Sequence, residues 1–155
     1  MKHNPDHSEM NRQKSPPIRV VIADDHAIVR KGMRAMLEIV PDIELVGEAE
    51  NGRQAVELVL AARPDVTLMD LVMPEMDGIE AIRNIKAQIP DAHILVLTTF
   101  AGEDKLFPAI QAGALGYHLK DSRPEELVEA LEANAAFHAC ADFAHVVFEV
   151  SQRGD

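Results

Sequence analysis

The chain has 155 residues, 47% apolar and 26% charged, with a formal net charge of −11. That balance fits one globular domain with a real core. It contains no run of about 18 apolar residues that would cross a membrane. The acidic surplus argues against gripping nucleic acid, whose phosphates need a basic patch.

Residues 1–17 hold His3, His7 and three prolines among polar neighbours. Such a stretch buries too little to offset its ordering entropy, so it reads as a flexible leader with solvated histidines. It lacks the apolar segment of a signal peptide. The single cysteine, Cys140, excludes an internal disulfide and fits a reducing, cytoplasmic location.

Ile18 to Ala23 (IRVVIA) is a nearly continuous apolar run that ends on Asp24-Asp25-His26. It predicts a first strand. From Val29, the apolar positions Val29, Met33, Met36, Leu37 and Val40 fall at helical spacing until Pro41-Asp42 stops them. Ile43 to Gly47 partly alternates, as a wetter edge strand does. Asn51-Gly52 turns into a second helix, with Ala55, Val56, Val59 and Ala62 on its apolar side, closed by Arg63-Pro64. Val66 to Met69 is a short buried strand that stops on Asp70, and Met73-Pro74 and Asp77-Gly78 punctuate the loop behind it.

Ile79, Ile82, Ile85 and Ile89 mark a third helix ending at Pro90. His93 to Leu97 (HILVL) is a fourth strand, leading to Thr98-Thr99. A fourth helix runs up to Ala112, with Gly113 as its C′ residue. Pro108 lies inside that pattern, which predicts a helix that begins late, near Pro108, or is irregular at its start. Leu115 to Leu119 forms a fifth strand ending on Lys120. Ser122 and Glu125 have the spacing of a capping box before a fifth helix that uses Leu127, Val128 and Leu131.

Strand and helix alternate five times with short connections. Right-handed crossovers then require a parallel sheet with helices on both faces. The three continuously apolar strands (first, third and fourth) belong at the centre and the two mixed ones at the edges. The order is 2-1-3-4-5, a flavodoxin-like, doubly wound, five-stranded α/β fold.

In such sheets, chemistry gathers beyond the carboxyl ends of the strands. There the topology brings together Asp24, Asp25, Asp70, Thr98 and Lys120. Three neighbouring carboxylates repel, so one takes a proton or a cation joins them. Oxygen ligands alone suit a hard ion such as Mg²⁺. A lysine and a hydroxyl are the groups wanted around a transferring phosphoryl, and an aspartate can be the nucleophile. A purely structural ion-pair cluster is the competing reading.

Asp24-Asp25-His26, Leu68-Met69-Asp70-Leu71, Met73-Pro74-Glu75-Met76-Asp77-Gly78, Leu97-Thr98 and Gly113 through Lys120 (GALGYHLK) together resemble the receiver domain of two-component response regulators. The spellings are most similar to the LuxR/FixJ-type branch, over residues 18–133. The resemblance implies that Asp70 accepts a phosphoryl group from a sensor histidine kinase. It implies that Asp24, Asp25, Asp70 and the Val72 backbone carbonyl hold Mg²⁺, and that Thr98 and Lys120 bind phosphoryl oxygens. Tyr117 would change rotamer on activation. The fourth helix, fifth strand and fifth helix would be the output face, which is also where two copies would pair. Asp121 stands where many receivers carry a cis proline after the lysine, so cis geometry is not implied.

Residues 134–155 turn Ala-rich with Phe137, Phe143 and Phe148, and read as a weakly ordered tail or an extension of the fifth helix. Phe137, Cys140, Ala141 and Ala144 share a helical face. His138, Cys140 and His145 lack the spacing and fourth ligand of a zinc set. About 20 residues are too few for a helix-turn-helix module, so this chain is not expected to bind DNA directly, and a truncated LuxR/FixJ-type regulator is one reading of it. An aspartate-nucleophile phosphohydrolase is the enzymatic alternative, but it needs an acid two residues after the nucleophile, where Val72 stands. A flavin or nucleotide binder would need a glycine-rich loop where Asp24-Asp25-His26 stands.

Overall fold

The computed structural model describes residues 16–99 and 103–136. Five strands alternate with five helices: β1 (Ile18–Ala23), α1 (Ala27–Glu38), β2 (Ile43–Ala49), α2 (Gly52–Ala62), β3 (Val66–Asp70), α3 (Gly78–Gln88), β4 (Ile94–Thr98), α4 (Glu103–Ala112), β5 (Gly116–Leu119) and α5 (Pro124–Ala136). The sheet is parallel throughout, in the expected order β2-β1-β3-β4-β5. Residues 1–15 of the expected leader (1–17) and most of the expected tail (137–155 of 134–155, with the Phe137–Ala144 face and the His138, Cys140 and His145 set) lie outside the described residues.

Period-two alternation along each inner strand splits the core into two layers. Val21, Ala23, Met69, Ile94 and Val96 point to one face, where Ala55 and Val59 of α2, Ala81, Ile82 and Ile85 of α3, and Ala109 of α4 cover them. Val20, Ile22, Leu68, Leu95 and Leu97 point to the other, under Met33 and Leu37 of α1 and Leu127 and Leu131 of α5. Each inner strand is apolar on both faces because both faces are covered.

The helix ends follow local chemistry. The Asn51 side chain caps α2 by accepting from Gln54 N–H at 2.9 Å, and Asp77 caps α3 by accepting from Glu80 N–H at 2.8 Å. Gly113, at φ 119°, closes α4 as expected. Its N–H reaches the Ile110 carbonyl and Ala114 N–H reaches that of Ala109, the paired bonds of a Schellman motif.

Two expectations need correction. Helix α4 does not wait for Pro108: it starts at Glu103 and carries the proline in its second turn. The bond lost there is one that residue 108 would donate to the Asp104 carbonyl, and Asp104 is exposed, so water can replace it. Ser122 is not a helix cap. The α5 helix starts at Pro124, a residue suited to a first helical position, and the Arg123 carbonyl accepts its first bonds. The Ser122 hydroxyl instead donates to the Leu119 carbonyl at 2.8 Å and meets His118 Nε2. That contact fastens the end of β5 rather than the start of α5.

Candidate functional site

The site lies beyond the carboxyl ends of β1, β3, β4 and β5. Ala23 pairs with Met69, so Asp24 and Asp70 each follow at the same level of the sheet. Asp70 pairs with Leu97 across the next ladder, and Thr98 then pairs with Leu119. Lys120 N–H donates to the Thr98 carbonyl at 2.8 Å, setting these two residues side by side. Register alone thus brings four separate stretches of sequence to one rim.

Asp24 is fully buried and Asp70 nearly so. The Lys120 ammonium stands between them, 2.6 Å from Asp24 Oδ2 and 3.2 Å from Asp70 Oδ2. Burial raises the Asp70 pKa above the usual carboxylate value. Lys120 opposes that rise and Asp24 adds to it. Burial works against the Lys120 ammonium too, but hydrogen bonds and charge from the two aspartates outweigh it and its pKa is raised. Lys120 therefore stays an ammonium throughout the neutral range.

One ammonium does not balance the acids. Asp24, Asp25, His26 and Asp70 each present a ligand atom, all within 4.8 Å of one another. Asp24 Oδ2 is fully buried against the Lys120 ammonium, 2.6 Å away. Hard oxygen donors with surplus negative charge fit a divalent cation. Asp24, Asp25 and Asp70, all expected at the site, are thus gathered in one hollow.

The loop after Asp70 is folded back tightly. Val72 N–H donates to Asp70 Oδ1 at 3.3 Å, and the Val72 side chain is 59% exposed. Glu75 takes φ 66° in a three-residue turn in which Met76 N–H reaches the Pro74 carbonyl. Gly78 N–H then returns to the Leu71 carbonyl at 2.9 Å. A Cβ on Gly78 would stand 2.1 Å from the Asp70 carbonyl oxygen, and one on Gly52 would stand 2.2 Å from that of Met76. Both glycines are therefore required by close backbone approach.

Tyr117 pairs with Val96 and packs, partly buried, against the layer under α2, α3 and α4. Two residues given no role from sequence also reach the site. His26 N–H donates to Asp24 Oδ1 at 2.8 Å, while its Nδ1 lies 3.0 Å from Asp24 Oδ1 and 3.2 Å from Asp25 Oδ1. Arg30, on α1, donates from Nη1 to the Asp24 carbonyl at 2.5 Å and pairs with Glu50 at 3.3 Å. In the sequence Arg30 is one of three basic residues of α1, with Lys31 and Arg34, and only its place one turn beyond His26 sets it apart.

Comparison with known proteins gives a consistent result. Residues 20–132 match the response regulator receiver domain family. The transcriptional regulatory protein LiaR of Bacillus subtilis is 51% identical over 75% of this chain and 55% of its own length. The nitrate/nitrite response regulator protein NarL of Escherichia coli K12 is 38% identical over 77% and 56%. The chain thus spans about half the length of these relatives. Among solved structures, the signal receiver domain of a NarL response regulator from Mycobacterium tuberculosis superposes with a TM-score of 0.76 at 34% identity, covering 80% of this chain and all of that one.

Proposed function

The chain belongs to the response regulator receiver domain family, and from that premise we propose that it is a phosphoacceptor switch in a two-component relay. Asp70 is the acceptor. One carboxylate oxygen attacks the phosphorus of a phosphohistidine on a sensor kinase; the P–N bond breaks, the imidazole leaves with the electron pair, and an acyl phosphate remains on Asp70. The observation that carries this reading is a near-buried carboxylate at a strand end, 3.2 Å from a lysine ammonium that a second buried acid holds from the other side.

Asp24, Asp25, Asp70 and the Val72 carbonyl are assigned to Mg²⁺. A bound divalent ion offsets the crowded negative charge and orients a phosphoryl oxygen. Lys120 and Thr98 take the remaining phosphoryl oxygens, and Val72 N–H already points at an Asp70 oxygen. Negative charge that Asp70 gains then draws on Thr98 and Tyr117 and biases the α4-β5-α5 face, where Phe107 lies 66% exposed for a partner or second copy. Residue 72 is valine, so no side chain there can protonate a leaving group, which disfavours steady hydrolysis of phosphate esters. Control of transcription belongs to the longer relatives and comes to this chain only as part of this proposal. The same holds for a cytoplasmic location; among the described residues no helix is long and apolar enough to cross a membrane.

Beryllofluoride with Mg²⁺ tests the switch, because it mimics a phosphoryl group without turnover. Amide signals of Asp70, Thr98 and Tyr117 shift together at saturation. Unchanged spectra at saturating reagent contradict the proposal.

A further inference from the structure

Lys120 reaches the hollow from a turn rather than from a strand, since β5 ends at Leu119. On one side its backbone is tied to the sheet, through its N–H to the Thr98 carbonyl at 2.8 Å. On the other side the chain turns through Asp121 to Ser122, and packing gives it little hold. An open groove runs beside the turn, lined by Val29 and Met33 of α1 and Leu127 of α5. A Cβ added to Gly32, on the α1 wall of that groove, would meet nothing within 4 Å. Hydrogen bonds close the turn instead. Ser122 N–H donates to the Leu119 carbonyl at 3.1 Å, and the Ser122 hydroxyl donates to the same oxygen at 2.8 Å. That uses the one hydroxyl proton, so the His118 ring meets the serine oxygen as an Nε2–H donor.

We infer that His118 and Ser122 are positioning residues for Lys120: their bond locks the turn from Leu119 to Ser122 and so aims the ammonium at the phosphoryl group that Asp70 receives. The inference rests on the phosphoacceptor reading above. A lysine ammonium sits on a flexible four-carbon stem, so the backbone that carries the stem decides where the charge can go. When phosphorus arrives, the ammonium exchanges a carboxylate contact for a phosphoryl oxygen. A fixed turn confines that exchange to rotation of the stem, whereas a loose one lets the charge drift along the groove. Charge stabilisation of a transferring phosphoryl depends on such placement, and an error of about 1 Å costs up to about 100-fold in rate.

Phosphorylation rates of the full chain with a small-molecule phosphoramidate and MgCl₂, followed by intact mass, test the pair. Ser122→Ala removes the hydroxyl and Ser122→Thr restores it; His118→Phe removes the ring nitrogen and His118→Gln offers an N–H donor at similar reach. Thermal unfolding checks that each variant folds, and where Ser122→Ala does not, the two His118 variants make the same comparison. The expected result is a loss of about tenfold for Ser122→Ala and His118→Phe, with Ser122→Thr and His118→Gln within about twofold of wild type. In a Lys120→Met background there is no ammonium to aim, and adding Ser122→Ala changes the remaining rate by less than about twofold. A wild-type rate for Ser122→Ala, or the same tenfold loss with and without the Lys120 ammonium, overturns the positioning role and leaves the phosphoacceptor site standing. A wild-type chain that takes up no phosphorus removes that site, and this inference with it.

Discussion

Asp70 sits among more negative than positive charge: two buried acids share a single lysine. Removing its charge while keeping its shape leaves Asp24 and Lys120 as a matched pair. Asp70→Asn is therefore expected to stabilise the metal-free chain by on the order of 1 kcal/mol in urea unfolding. The pH dependence follows from the raised pKa of Asp70. Between the unfolded value of 3.8 and the higher folded one, the folded state holds more protons than the unfolded state. Stability from this group is therefore lost as pH rises through that window. Asp70→Asn lacks the loss, so the gap between variant and wild type opens above about pH 4; a gap that closes with rising pH would contradict the assignment. Asp24, Asp70 and Lys120 were legible in the sequence because each ends or follows an apolar strand, where a charge has no structural reason to be. His26 and Arg30 were not. Each lies on or beside a helix where a polar residue is ordinary, and only the folded β1–α1 loop shows that Nδ1 and the guanidinium turn inward to Asp24.

The loop from Leu71 to Asp77 shows how an element sets a side chain. Its return bond from Gly78 to Leu71 leaves no room for a methyl group against the Asp70 carbonyl. Gly78→Ala is expected to cost about 3 kcal/mol in urea unfolding, more than a helix propensity change, which would favour alanine. A neutral or stabilising result would show that the loop relaxes freely and does not hold Asp70 in place. Elements were legible to different degrees for identifiable reasons. Buried strands β1, β3 and β4 announce themselves by unbroken apolar runs. In β2 the alternation is imperfect because the register slips: Leu45 pairs with Val20 but Gly47 pairs with Val21, leaving Val46 as the extra residue of a bulge. Pro108 misled because its cost was weighed as if in a helix centre, whereas the lost bond falls in an exposed turn. Ser122 misled because a capping spacing cannot reveal that its hydroxyl is already taken by Leu119 and His118.

At the scale of the whole molecule, the order 2-1-3-4-5 followed from which strands are apolar on both faces, and crossover handedness left few alternatives. That topology converts distant charges into one hollow: β1 and β3 are neighbours, and Lys120 reaches over from the edge strand β5 beyond the end of β4. Chemistry at the rim was therefore readable once the fold was, whereas its partners depend on side-chain geometry that no spacing encodes. The central claim is that this hollow captures phosphorus on Asp70. Intact-mass measurement after incubation with a small-molecule phosphoramidate and MgCl₂ tests it most directly. The account predicts a mass gain of one phosphoryl group on the wild type that chelation of Mg²⁺ suppresses and Asp70→Asn removes. No gain on the wild type, or an equal gain on Asp70→Asn, would contradict it.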